Sequence, residues 1–253
     1  MIILRILVNG LIMGGELAAV AGIAAFAFRF PFIFAAVTAG LSFVLGLRLE
    51  VARLRYELPF YFGGMIKRSA LLTGLVGSFE ALFKGVLAGI AALFTFAGTN
   101  TDRLFWVAIL FGVCVYVGAS LLRGLSIRAE ALPMRWGYFR LAPALGLLFS
   151  AGLALLGAAA VLPATASVAD IGWKIIFETP ARPSIEQVSE LLFQIKQAFD
   201  VFIVTVLSAA LDAKVARLIG IVVSVNVLSG FVSALYAALI AAAVRKTETA
   251  LLG

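Results

Sequence analysis

Between Arg5 and Arg29 the chain reads ILVNGLIMGGELAAVAGIAAFAF, residues 6–28, in which Asn9 and Glu16 are the only strongly polar side chains. About 20 apolar residues wound as a helix cross the hydrocarbon of a bilayer. The stretch therefore reads as a membrane span with a carboxyl group inside it. A second apolar run starts three residues later, behind Pro31. That spacing, and the length of the first run, argue against a cleaved signal peptide.

The same pattern recurs along the chain. Apolar runs occupy Phe32 to Leu47, Ser69 to just before Gly98, Leu104 to Leu122, Leu141 to Leu162 and Leu218 to Val244. Of the 253 residues, 63% are hydrophobic and 13% charged, the latter about half the share of a soluble domain. Mean hydropathy is +1.12. A water-soluble fold of this size has too little interior for so much apolar surface, and disorder is excluded on the same ground. The expected fold is all-α: a polytopic integral membrane helical bundle of six transmembrane helices plus one amphipathic interfacial helix, forming a single transmembrane domain over residues 1–253.

Residues 163–200 read as a non-cytoplasmic loop carrying that amphipathic helix. Ser184 and Gln187 have the spacing of a capping box. Ile185, Val188, Leu191, Leu192, Ile195 and Phe199 share one helical face. The apolar stretch Val201 to Leu211 is too short to cross alone and reads as the end of the same helix. The alternative is that residues 190–212 cross as a seventh span. With six spans, twelve of the 20 Lys and Arg fall on the side of the N-terminus and five on the other. Basic residues collect in cytoplasmic loops, so both termini are expected in the cytoplasm, of a bacterial inner membrane by composition and loop length.

The census removes several chemistries. There is no histidine and one cysteine, Cys114. His-based nucleophile pairs, His-ligated metals and intramolecular disulfides are excluded. No nucleotide-binding motif is present. No cofactor and no metal site are expected, and an enzyme is the weakest reading. The formal net charge of +7 fits a topology signal better than a nucleic-acid partner.

Charges inside apolar runs are the candidate ion- or proton-handling groups, because hydrocarbon makes them costly. Glu16 sits eleven residues from Arg5 and thirteen from Arg29. It reads either as an ion-handling carboxylate or as a helix-to-helix hydrogen-bonding group. Glu80 and Lys84 have the favourable i,i+4 order for an ion pair. Lys84 is either an interfacial partner of Glu80 or the counter-ion of Glu16. Asp212 lies beside an interfacial turn or at an unwound backbone facing a cavity. Small residues, including Gly10, Gly14, Gly146 and Gly152, suit close helix packing, either inside the bundle or against partner subunits. Residues 123–140 read RGLSIRAEALPMRWGYFR. There Arg123, Arg128, Arg135 and Arg140 with Trp136 form a basic, aromatic belt for anionic lipid headgroups or for a docked cytosolic ATPase.

Two functions stand out. One is a transport or translocation subunit (of a transporter or of secretion or conjugation-type machinery) working with partner proteins. The other is a structural or accessory subunit of a membrane complex. Expected partners are membrane lipids and other membrane subunits or further copies of the chain.

Overall fold

The computed structural model describes residues 2–61, 70–159 and 183–252. Nine α-helices account for almost all of them: α1 Ile2–Arg29, α2 Pro31–Tyr61, α3 Ala70–Thr95, α4 Thr101–Ala129, α5 Pro133–Arg140, α6 Ala142–Ala158, α7 Ile185–Ala210, α8 Ala213–Val223 and α9 Ser229–Leu252, with a 3₁₀ turn at Val225–Leu228. Among the described residues, six segments are long and apolar enough to cross a membrane: those in α1, α2, α3, α4 and α7, and the α8–α9 stretch. Together they mark an integral membrane protein. The apolar helix α6 is shorter, 17 residues.

Local chemistry sets the ends of the elements. Pro31 opens α2, where its missing N–H costs nothing. Asn100 caps α4 by accepting the Arg103 N–H at 2.9 Å, and Glu130 ends it in the left-handed region at φ 50°. The Ser184–Gln187 capping box opens α7 as its sequence foretells. Up to residue 182, the expected 163–200 loop lies outside the described residues.

Helix directions follow from contacts. Phe28 meets Phe105 and Glu16 approaches Arg123, so α1 and α4 are antiparallel. Glu248 of α9 also reaches Arg123. The start of α1 and the end of α9 therefore lie at one end of the bundle, here the Arg123 end. Gly98 and the start of α7 lie at the other. From there α7 runs inward, and α8 returns along it.

Helix α9 is the axis of the bundle. Every residue from Val232 to Ala238 is buried, against α4, α6, α5, α3 and α1. Among apolar helices there is no water-exclusion gain, so tight dispersion contact must hold them. Small side chains permit it: Ala234, Ala237, Ala238 and Ala241 are all buried. Phe34, Phe111 and Tyr236, from three helices, and Phe96, just past the end of α3, interlock with ring centroids 5.3–6.3 Å apart. The Tyr236 hydroxyl shares a 3.0 Å hydrogen bond with that of Thr38, which donates to Phe34 O.

The glycines divide into two groups. A Cβ at Gly230 would stand 1.9 Å from Ala142 O, and one at Gly146 2.1 Å from Val227 O. In contrast, a Cβ at Gly10, Gly14 or Gly15 would meet nothing within 4 Å. Internal packing thus explains Gly146, and Gly152 against Leu110, but not the glycine pair in α1. Gly230→Ala should therefore destabilise at or beyond the top of the usual range for overpacking, about 1–3 kcal/mol. Gly14→Ala should stay within about 0.5 kcal/mol of the parent. Thermal unfolding of the two variants in detergent measures the contrast.

Candidate functional site

The chain leaves the helical state inside the bundle between α8 and α9. Contacts along α6 trace the path: Ser150 with Ile221, Gly146 with Val227, Ala142 with Gly230. From Ile221 to Gly230 the chain therefore passes along α6 in one direction, and α-helix gives way to the 3₁₀ turn at Val225–Leu228 on the way. The expected span Leu218 to Val244 is thus corrected from one helix to two with a turn between them. Breaking a helix frees backbone groups that no water in hydrocarbon can satisfy. Asp200 of α7 answers this need. Its Oδ1 accepts the Val225 N–H at 2.9 Å, and its Oδ2 accepts from Ser224 Oγ at 3.0 Å and Asn226 Nδ2 at 2.9 Å. Ser224 Oγ in turn accepts the Asn226 N–H. Ser150 Oγ donates to Ile221 O at 2.7 Å, taking one of the last carbonyls of α8.

Placing the Asn226 amide nitrogen on Asp200 turns the amide oxygen away. That oxygen is buried with no hydrogen-bond partner among the described residues. Asp200, Ser224 and Asn226 line a cavity of ≈ 680 Å³ that is open on one side and includes Ser150 and Arg217. One turn from Asp200, Lys196 is buried and donates to Phe94 O at 3.0 Å. Arg103 is buried as well, donating to Ala97 O at 2.9 Å with its guanidinium 3.9 Å from the centre of the Phe193 ring. Gly98, at φ +113°, lets the chain turn so that its N–H meets Ser189 Oγ of α7.

Two ion clusters occupy the other half of the bundle. Glu50, buried on α2, pairs directly with Lys84 of α3 and lies 3.0 Å from Arg53 Nη1. Arg53 also reaches Glu80 and Glu57, each at 3.0 Å. Glu80 and Lys84 therefore both cross to α2 and pin the α2–α3 hairpin. In the second cluster, Arg123 Nε donates to Glu248 Oε1 at 2.9 Å, and Nη2 donates to the same oxygen. Arg123 Nη1 stands 3.9 Å from Glu16 Oε2. Glu16 is 5% exposed.

Several expectations change. The counter-ion of Glu16 is Arg123, not Lys84, because Lys84 is taken by Glu50. Arg123 faces inward as an ion-pair partner rather than outward to lipid headgroups. Arg128, Arg135 and Arg140 remain exposed. The side chain of Trp136 lies outside the described residues. Tyr138, in the same segment, is buried and hydrogen-bonded to Ser42. Its burial pushes the phenol above its ordinary pKa, while the Ser42 bond pulls it down. Asp212 is an exposed N-cap of α8, accepting the Lys214 N–H at 2.8 Å. The unwound backbone lies further on, at Ser224–Leu228.

Asp200, Lys196 and Glu50 were not singled out by pattern, because each reads as the polar side of an amphipathic stretch. The one available signal for the break was the polar run Ser224, Asn226, Ser229 and Gly230 inside an apolar span. Comparison with protein-family models, curated proteins and solved structures finds no match to this chain.

Removing one partner of a buried pair leaves an uncompensated charge and costs about 3–5 kcal/mol. Glu50→Gln and Lys84→Met should each fall in that range, and the double variant should cost less than their sum. Glu16→Gln combined with Lys84→Met should instead add to within about 0.5 kcal/mol, since the two belong to different clusters. Unfolding of the variants in detergent provides both cycles.

Proposed function

We propose that the chain is the membrane-spanning subunit of a transport or translocation system that works with partner proteins, and that the turn at Ser224–Leu228 is its solute- or ion-handling element. One observation carries the reading. A carboxylate, Asp200, holds an interrupted helix beside an open cavity, next to a buried amide oxygen on Asn226 that has no donor among the described residues. Interrupted helices that expose backbone dipoles and polar side chains inside a membrane are the usual substrate sites of secondary transporters.

The chemistry follows from the hydrogen bonds. As a carboxylate, Asp200 only accepts. A proton on it turns one oxygen into a donor, which must give up a bond from Ser224, Asn226 or the Val225 N–H. A cation at the carboxylate and the Asn226 oxygen competes for the same lone pairs. Either event loosens the turn, and the equilibrium between two arrangements of α8 and α9 shifts by the difference in affinity. This makes Asp200 a better ion-handling candidate than Asp212, whose carboxylate sits at an exposed turn.

On this reading the Arg123 end faces the cytoplasm of a bacterial inner membrane. The start of α1, the end of α9 and the exposed Arg128, Arg135 and Arg140 all lie at that end, as the positive-inside rule requires. Those arginines are suited to anionic lipid headgroups or to an energising partner such as a cytosolic ATPase. The structural-subunit reading keeps one observation of its own. Gly10 and Gly14 form a small-xxx-small pair on α1 with nothing packed on it, a surface that admits another helix closely.

Flux assays on the chain in proteoliposomes, with the partners that co-purify, test the proposal. Asp200→Asn should lower proton- or ion-coupled flux at least tenfold while the protein remains monodisperse. Asp212→Asn should leave flux within twofold. Full flux in Asp200→Asn would remove the turn from the mechanism.

A further inference from the structure

Glu16 remains unexplained by the turn at Ser224. It lies on the wall of a cleft of ≈ 350 Å³ between α1 and α9, lined otherwise by Val8, Leu11, Ile12, Ile240 and Val244 with small residues and Thr247 between them. That volume is at the small end of the range for ligand sites, about 300–1,000 Å³. The carboxylate is more than nine-tenths buried and accepts no hydrogen bond among the described residues. Its nearest cation, Arg123, is committed to Glu248 through Nε and Nη2 and comes only to 3.9 Å of Glu16. Two carboxylates thus share one guanidinium, one acid more than the cluster has cations among the described residues. When both are ionised, the second calls for a further positive partner.

We propose that this cleft binds a monovalent amphiphilic cation: an ammonium group at Glu16 with its hydrocarbon tail along the apolar walls between α1 and α9. A cleft of ≈ 350 Å³ accommodates a single alkyl chain, which favours a free alkylammonium over the amine of a two-chain membrane lipid. The open glycines Gly10, Gly14 and Gly15 keep that side of α1 low in relief, and Gly15 itself lines the cleft. The site is separate from the turn held by Asp200, and its test is independent of the transport reading.

Equilibrium binding of radiolabelled dodecyltrimethylammonium to the full chain in phosphatidylcholine nanodiscs decides the matter. The quaternary probe cannot lose its charge. Saturable binding near one probe per chain is expected. Glu16→Gln should weaken it at least tenfold. Ala19→Phe, which fills the cleft from α1 and leaves the ion pairs in place, should weaken it by a similar factor. Asp200→Asn should leave it within twofold. Neutral dodecanol should compete at least tenfold more weakly than unlabelled probe. Uptake no greater than in empty nanodiscs would overturn the proposal, as would unchanged affinity in both Glu16→Gln and Ala19→Phe, or equal competition by dodecanol. Loss of binding on replacing phosphatidylcholine with phosphatidylethanolamine would also overturn it, by making a lipid amine the occupant.

Discussion

The carboxylate of Asp200 permits the chain to abandon helix inside a bundle that offers no water. Each backbone N–H or C=O released there costs free energy unless something within the protein accepts or donates in its place. One residue of α7 takes the Val225 N–H, the Ser224 hydroxyl and the Asn226 amide together. It therefore fixes where α8 stops, where α9 starts and how closely the turn lies on α6. The glycines at 146 and 230 complete the arrangement from the other side. They let the turn come within backbone contact of α6, so the path is held by a polar bond on one face and by steric closeness on the other.

The remaining intramembrane charges obey the same constraint by pairing across helices. Glu50 and Lys84, with Arg53 and Glu80, lock α2 to α3. Arg123 locks α4 to α9 through Glu248 and draws α1 in through Glu16. Attraction between buried ions roughly offsets their desolvation, so such clusters contribute more to which helices meet, and in what register, than to net stability. The dispersion contacts of α9 and the ring cluster around Tyr236 supply the stabilisation that the ions do not.

The helical bundle was legible because a bilayer imposes a length and a composition on each crossing. The runs at 6–28, 69–97 and 141–162 match α1, α3 and α6 closely, whereas α2 continues to Tyr61 and α4 to Ala129, well past the apolar runs at 32–47 and 104–122. The capping box at Ser184 was legible for a local reason: Ser184 and Gln187 need only each other. What could not be read was pairing between distant residues. Glu16 shows an embedded acid in the sequence, but nothing along α1 says that its cation is Arg123, 107 positions away. Glu80 and Lys84 look like partners because they are one turn apart, while the facing helix offers each a closer one. Asp200 is the clearest case. In sequence it closes the polar face of an amphipathic helix, and its role exists only because Val225 folds back beside it.

The two candidate sites lie at opposite ends of α9. Its N-terminal end hangs from the Asp200 turn, and its C-terminal end carries Glu248, which holds the arginine that would otherwise neutralise Glu16. Between these ends, Val232 to Ala238 are buried against five other helices. Each end is therefore held by its own local contacts, hydrogen bonds to Asp200 at one and an ion pair with Arg123 at the other, and the two sites remain physically separate.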